Sequence, residues 1–378
     1  MIGESLAAGG ALFSVASGGP AYHGRVNSSG SSPHSNQRLL VIGGGIAGAS
    51  VAYFATRQGY AVTLVDAGQG RASDVPSALL NPVRGQAGRV DPRALAGLHL
   101  SWSLIGALGA AGHAVPHEAC GVLRPFASDS ARAKASRNLP ADLSHRWLGP
   151  QDSPVPLSPG WPHQLWLPEG GWVSGGGLVR ALVVASGATC RPARAVSWDA
   201  RSAALEGGER LEADLVVWCG GSLGASWGGG SGMIVPGNDP AQTHRGGSLL
   251  LLDRPATPLP VSAGVYLAPA GIGPGAGGVL GATFEAPTSA YQNGGPPLKS
   301  LHWLLERAAA LSPDLAPVVI GLWTGSRLAG ELSGRQPGGW WALAGLGSKG
   351  FLLGPLLAQQ LVGQIADVQK QNGQTTTA

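Results

Sequence analysis

Three glycines, Gly43, Gly45 and Gly48, stand in VIGGGIAGAS with the spacing G-x-G-x-x-G, and Asp66 follows 23 residues after the first. Backbone without side chains at such a turn can approach a pyrophosphate, and the first turn of a following helix offers free N–H groups and a partial positive charge. A carboxylate about 20 residues further on, at the tip of the next strand, would hydrogen-bond an adenosine ribose. The spacing alone decides little in a chain with 62 glycines among 378 residues. At that frequency the pattern arises at about 0.4% of start points by chance, and it recurs at Gly273/Gly275/Gly278 and at Gly345/Gly347/Gly350.

The flanking elements single out the first of the three. Leu39–Ile42 is a short apolar run suited to a buried parallel strand. Ile46–Gln58 places Ala47, Val51, Phe54 and Ala55 on one helical stripe, with Gly59 as its stop. Ala61–Val65 makes a second strand that ends in Asp66. Strand, turn, helix, strand and acid in that order predict a dinucleotide site. Local sequence leaves open whether it holds a departing nicotinamide or a resident flavin.

Composition narrows the classes. With 12% charged and 44% apolar residues the chain reads as globular, and its net charge of +4 is mild. No dense Lys/Arg stripe with interleaved aromatics argues for nucleic acid. Cys120, Cys190 and Cys219 form no C-x-x-C pair, and an odd count suggests a reducing compartment, hence the cytoplasm. His113 and His117 are separated by Pro116, so they are not expected to share a helix face as metal ligands. No run of 18 apolar residues predicts a membrane span. Residues 1–36 read as a disordered leader without a basic start, and residues 371–378 as a flexible tail.

Further along, Pro92–Ala110 predicts a helix, Gly121–Trp166 an irregular stretch, and Gly171–Ser186 a turn entering a helix. Ala193–Trp198 reads as a strand. Ala213–Trp218 is another, buried, running into Cys219–Gly220–Gly221–Ser222. Leu249–Leu252, Gly264–Ala268 and Val279–Phe284 suggest an antiparallel sheet, and Leu298–Leu311 a helix. The chain closes with Trp340–Ala344, then GLGSKG, then a helix from about Gly354 to Val368 whose Leu352, Leu356, Leu357, Leu361 and Ile365 face the core. A helix start aimed at a cofactor stabilises negative charge there, which suits a flavin and not a nicotinamide carrier.

From about Leu39 to Ile365 these blocks together resemble the flavoprotein oxidases of the D-amino-acid oxidase superfamily. VIGGGIAGAS…VTLVDAG looks like the FAD-binding start, and ADLVVWCGG like a second nucleotide-proximal strand. GVYLAP…GGVLGATFEAP is similar to the paired strands of the substrate domain, and GLWTGSRLAG…WALAGLGSKGFLLGPLLAQQL to the segment that wraps the flavin. The resemblance implies an α/β fold, a Rossmann-type FAD-binding domain joined to a second α+β substrate domain on a mainly antiparallel sheet. It assigns residues 37–90, 170–225 and 320–370 to the first domain, and 91–169 and 226–319 to the second.

It carries cofactor contacts to Gly43, Gly45, Ile46, Ala47, Gly48, Asp66 and Ala67, to Ser77, Ala78 and Leu79, and to Val196. Gly220 and Gly221 follow, then Gly347, Ser348, Lys349, Gly350 and Phe351. With no cysteine in GSKG and no histidine after the first glycine turn, FAD is expected to be non-covalent. The activity implied is hydride removal from a carbon next to nitrogen, then imine hydrolysis and reoxidation by oxygen.

The family's carboxylate arginine is expected where this chain has Trp323. Arg327 is the nearest guanidinium, Tyr266 the substrate-side hydroxyl, Phe284 a pocket wall or core residue, and Lys349 a group for the flavin or oxygen. Two relatives within the superfamily fit: glycine oxidases, and the oxidase half of the bifunctional enzyme that matures 5-methylaminomethyl-2-thiouridine in tRNA. The partner is then a small amine or amino acid, with a modified tRNA as the alternative and no membrane. A third reading, drawn from Trp323, is a flavin-binding protein that has lost catalysis.

Overall fold

The computed structural model describes residues 37–227, 243–272, 275–292 and 294–375; the expected leader lies outside them. β1 (Arg38–Ile42), α1 (Ile46–Arg57) and β2 (Ala61–Val65) form the expected βαβ unit. Past a 3-10 turn at Ala72–Asp74 come β3 (Ala78–Leu80), the hairpin of β4 (Val83–Arg84) and β5 (Arg89–Val90), and α2 (Ala94–Ala110). The stretch read as irregular is in fact ordered. After β6 (His117–Glu118) it contains β7 (Val122–Phe126), α3 (Asp129–Ser136), β8 (Arg146–Leu148) and β9 (His163–Leu167). Proline at 125 hid β7 from a propensity argument. Next are β10 (Gly171–Val173), α4 (Gly175–Ser186), β11 (Thr189–Arg191) and a meander of β12 (Ala195–Trp198), β13 (Ser202–Leu205) and β14 (Arg210–Glu212). β15 (Leu215–Trp218), α5 (Gly221–Trp227), β16 (Thr243–Leu252), β17 (Val261–Ala263), β18 (Val265–Ile272), β19 (Gly275–Gly281) and α6 (Leu298–Leu311) lead to β20 (Val319–Arg335). β21 (Trp341–Leu346) and α7 (Gly350–Thr375) complete the chain.

Thirteen strands form one sheet in the order β11-β2-β1-β15-β21-β20-β16-β19-β18-β17-β7-β9-β8. From β11 to β21 every pairing is parallel. From β21 to β17 every pairing is antiparallel. β20 belongs to both halves: Val319–Ala329 pairs with β16, and Ala329–Arg335 with β21. The change of partner comes at a register shift between Ala329 and Leu332, a bulge that bends the strand.

Helices α1, α2, α4 and α7 bury one face of the parallel half in a core containing Leu39, Val41, Leu98, Leu182 and Leu353. Its other face is covered by the β12–β14 meander, where the Trp198 ring stacks on Trp218 and meets Trp340 edge-on. Helix α6 packs Leu304, Ala308 and Leu311 against the antiparallel half.

Helix α7 begins at Gly350, four residues earlier than expected, and runs to Thr375, into the first part of the stretch expected as a flexible tail; residues 376–378 lie outside the described residues. Its length and apolarity would suffice to cross a bilayer, but it is mostly buried inside the protein, with Leu353, Leu357, Leu361 and Ile365 in the core. Burying each such side chain contributes about 1.5–3 kcal/mol. Leu356 is only half-buried. Pro355 lies within the helix and has no N–H for the Phe351 carbonyl one turn back. The Ser101 hydroxyl on α2 donates to that carbonyl at 3.0 Å instead.

The bulge in β20 requires a close approach. Gly345 on β21 has φ of +72°, and a Cβ there would run into the Gly330 carbonyl of the bulge. Left-handed strain costs about 1–2 kcal/mol and overpacking about 1–3 kcal/mol, so Gly345→Ala should lose about 2–5 kcal/mol in urea unfolding. Gly187→Ala at the end of α4, also left-handed but with open space around it, should lose only the smaller strain.

Candidate functional site

A cavity of about 880 Å³ opens along the carboxyl ends of β1, β2, β15 and β21 and continues beneath β16, β18 and β20. Gly43, Gly45, Ile46 and Ala47 line it at the start of α1, with Asp66 and Ala67 at the tip of β2. Gly48 is not on the wall. It lies beneath the turn, where a Cβ would collide with the Gly43 carbonyl, so its role is to let α1 close onto β1.

The Asp66 carboxylate leans over Gly44 and pairs with Arg71 at 3.1 Å, which fixes its direction toward the cavity. Ser73, not anticipated from the sequence, accepts the N–H of Ile46 at 3.0 Å and itself lines the cavity. Nothing in the run RASD distinguished that hydroxyl from an ordinary turn residue.

Ser77, Ala78 and Leu79, then Gly220 and Gly221, and finally Gly347, Ser348, Lys349, Gly350 and Phe351 all reach the same cavity. Gly350 and Gly354 abut Ile46, so the starts of α1 and α7 lie side by side. Val196 does not join them. It falls at the register shift between β12 and β13 and is exposed, while Ala193, Arg194, Ala195 and Trp198 line the cavity. A register shift there breaks the in–out alternation of β12 and turns Val196 away from the position the resemblance implied.

Lys349 is at the wall, but its amine is engaged: Nζ lies 2.7 Å from Asp91. Asp91 also accepts from Arg93, which in turn holds Glu331 on β20. The hydrogen bonds from Arg93, followed by those from Lys349, hold the Asp91 carboxyl far below the usual carboxylate range, against the effect of burial. This network ties the turn before α7 to the start of α2 and to the bulged strand.

At the other end, Trp323 and Arg327 occupy alternate positions on one face of β20. The Trp323 ring lies over Gly325 between them, and Trp323 and Arg327 both border the cavity. Arg327 has its Nη2 fully enclosed and without a hydrogen-bond partner, and its guanidinium sits 5.3 Å from the centre of the Phe284 ring. Burial is the first cause lowering its pKa. Phe284 is 53% exposed, so it is a wall at the cavity and not core.

The Tyr266 hydroxyl donates to the Ser77 carbonyl at 3.1 Å, and burial raises its pKa, so it keeps its proton. With that proton committed, Tyr266 turns lone pairs toward the cavity; the expectation of donation to a carboxylate requires its O–H to leave Ser77. Ser222 and Ser326 line the cavity, and the Ser222 hydroxyl joins His244 Nδ1 at 2.8 Å and Ser326 at 2.7 Å, a buried network not anticipated from the sequence.

A long slot of this kind fits FAD. It joins a glycine turn and two helix starts, which favour phosphate and an anionic ring edge, to a ribose-directed carboxylate and a far end where Trp323 and Phe284 flank Arg327. The DAO family, described as FAD dependent oxidoreductase, matches residues 38–364. Glycine oxidase from Bacillus cereus is similar in fold, with a TM-score of 0.73 at 21% identity, covering 88% of this chain and 95% of that one. Iminodiacetate oxidase from Chelativorans sp. BNC1 also has a TM-score of 0.73, at 23% identity, covering 87% and 95%. The tRNA 5-methylaminomethyl-2-thiouridine biosynthesis bifunctional protein MnmC of Paracidovorax citrulli is 27% identical over 383 residues, covering 88% of this chain and 58% of the relative. The chain thus spans little more than half the length of that curated relative.

The Asp91 network has a pH signature. A carboxyl whose folded pKa is depressed contributes stability that is fully present above its unfolded value of about 3.9 and is lost as pH falls toward the folded value. Asp91→Asn should therefore be less stable than the parent protein at pH 7 and pH 5, and the gap should narrow at pH 3. Urea unfolding at the three pH values measures it.

Proposed function

Because the chain belongs to the DAO family of FAD-dependent oxidoreductases, we propose that it oxidises the carbon–nitrogen bond of an amino acid or N-substituted glycine. The enclosed, unpartnered guanidinium of Arg327 carries this reading. A buried cation without an anion is costly, and a substrate carboxylate supplies the missing partner through charge-assisted hydrogen bonds. FAD, bound non-covalently, supplies the hydride acceptor, with oxygen as the terminal oxidant.

The protein's own groups bind and orient. Arg327 holds the carboxylate, and Phe284 backs the guanidinium from the mouth of the cavity. Tyr266, its proton committed to Ser77, offers a lone pair to an amine N–H and so orients the nitrogen. Trp323, Leu249 and Ala282 provide an apolar wall that limits water around the reacting carbon. Lys349, paired with Asp91, acts as a fixed charge and not as a free base.

A second reading takes the N–CH2–COO⁻ unit from a modified wobble uridine. It is supported by the likeness to the tRNA-modifying relatives. Mass spectrometry of wobble nucleosides from a deletion strain tests it: accumulated carboxymethylaminomethyl groups favour it, and an unchanged profile excludes it.

For the leading reading, peroxide release is measured on glycine, sarcosine, proline and D-amino acids. Arg327→Gln should lower kcat/KM roughly 100- to 1,000-fold, mostly through KM, since truncating one member of a buried charge pair costs about 2–5 kcal/mol. Flavin absorbance per mole of protein should stay that of the parent. A yellow protein that turns over none of the panel would instead be a silent flavin carrier.

A further inference from the structure

The cavity has a second concentration of positive charge, away from Arg327. Arg84 on β4 and Arg89 on β5 are directly opposed across the two-stranded hairpin, and both line the cavity. Like charges placed opposite each other in a strand pair are destabilising. Beside the hairpin lies Arg124 on β7, only 4% exposed and also on the cavity wall. Its Nη2 donates to the Gly85 carbonyl in the turn of that hairpin at 2.7 Å, and its Nε is buried without a partner.

Among the described residues none of the three arginines has an acidic partner. Arg84 donates to the Ser348 hydroxyl at 2.9 Å. The carboxylate on the same segment, Asp91, is taken up by Arg93 and Lys349. The enclosed Arg124, with an unsatisfied Nε, carries a desolvation cost, and the two exposed guanidiniums beside it add repulsion; a bound anion would offset both. The Gly85 carbonyl accounts for one of the five donors of Arg124 and leaves its buried Nε unexplained. Arg84 is also among the charges that act on Arg327, so the two groups share a field within one cavity.

We propose that Arg84, Arg89 and Arg124 form a second anion subsite, which receives a second carboxylate carried on the nitrogen substituent of the substrate. The inference rests on the amine-oxidase reading and narrows it. The preferred substrate class is an N-substituted glycine with an acidic group at each end, one on Arg327 and the other on the hairpin corner. A monocarboxylic amine would leave the corner uncompensated.

Iminodiacetate and sarcosine test the idea, because they share the amine and the first carboxylate and differ in the second. Their affinities for the FAD-loaded protein are measured by titration calorimetry, which does not require turnover, and KM values are taken alongside. Iminodiacetate should bind roughly 10- to 100-fold more tightly, the worth of a charge-assisted contact. In the double variant Arg84→Gln/Arg89→Gln, at exposed positions that leave the enclosed Arg124 in place, the ratio of the two affinities should fall toward one. Equal affinities in the parent protein, or a preference that survives the double variant, overturns the subsite alone, provided sarcosine binds. If neither ligand binds a protein that holds FAD, the subsite and the amine-oxidase reading fall together.

Discussion

Strand β20 is hydrogen-bonded first to one half of the sheet and then to the other, and this shared membership is the constraint from which the site follows. β16 pairs along one edge of β20 and β21 along the other. The β21 pairing stops at Ala329, beside the bulge at Ala329–Leu332, and leaves that edge of the middle residues without a neighbouring strand. The cavity occupies that space. Trp323, Ser326, Arg327 and Leu328, which face opposite sides of the strand, therefore all reach one cavity. Close contact between Gly330 and Gly345 holds the bend, and Arg93 fastens Glu331 within it. The distance from the nucleotide cradle to Arg327 is set by a few residues of backbone geometry.

Charge is distributed along the cavity with a consistent logic. At the adenosine end Asp66 is oriented by Arg71, and in the middle Asp91 neutralises Lys349 and Arg93. Each of those acids is already satisfied by the protein. The groups left uncompensated are guanidiniums, at Arg327 and around the β4–β5 hairpin. Desolvation makes such groups expensive to maintain, and an anion entering the cavity would offset that cost. The fixed helix starts of α1 and α7 add to the same field.

Much of this was legible in the sequence where local pattern and tertiary role coincide. The βαβ unit announced itself because strand, turn and helix signals lie within thirty residues, and α6 fell on its expected bounds because its apolar stripe is unambiguous. The DAO match from 38 to 364 agrees with a resemblance assembled from separated blocks. What remained hidden depends on register. Val196 turned outward because a bulge shifts the phase of β12. Lys349 found its partner 258 residues earlier in the chain, and no spacing rule links two such positions. Arg124 lay in a stretch that proline and tryptophan made look irregular, so its burial could not be foreseen. The need for Ser101 follows from Pro355, but only once α2 is known to lie against α7.

The order of strands also has a consequence for synthesis. β1 enters the sheet near residue 40, yet its second-nearest neighbour on one side, β21, starts at Trp341. As the polypeptide leaves the ribosome, β1 is an unprotected border until β15 emerges at Leu215, and β15 is one until β21 emerges at Trp341, edges that invite pairing with other chains. Helix α7, which seals Leu98, Leu182 and the back of α1 into one core, arrives last. Contacts of such long sequence separation slow the closing step. The segment that completes the cofactor cradle is thus also the one that ends the nascent chain's exposure to aggregation, and a premature stop upstream of β21 would abolish both at once.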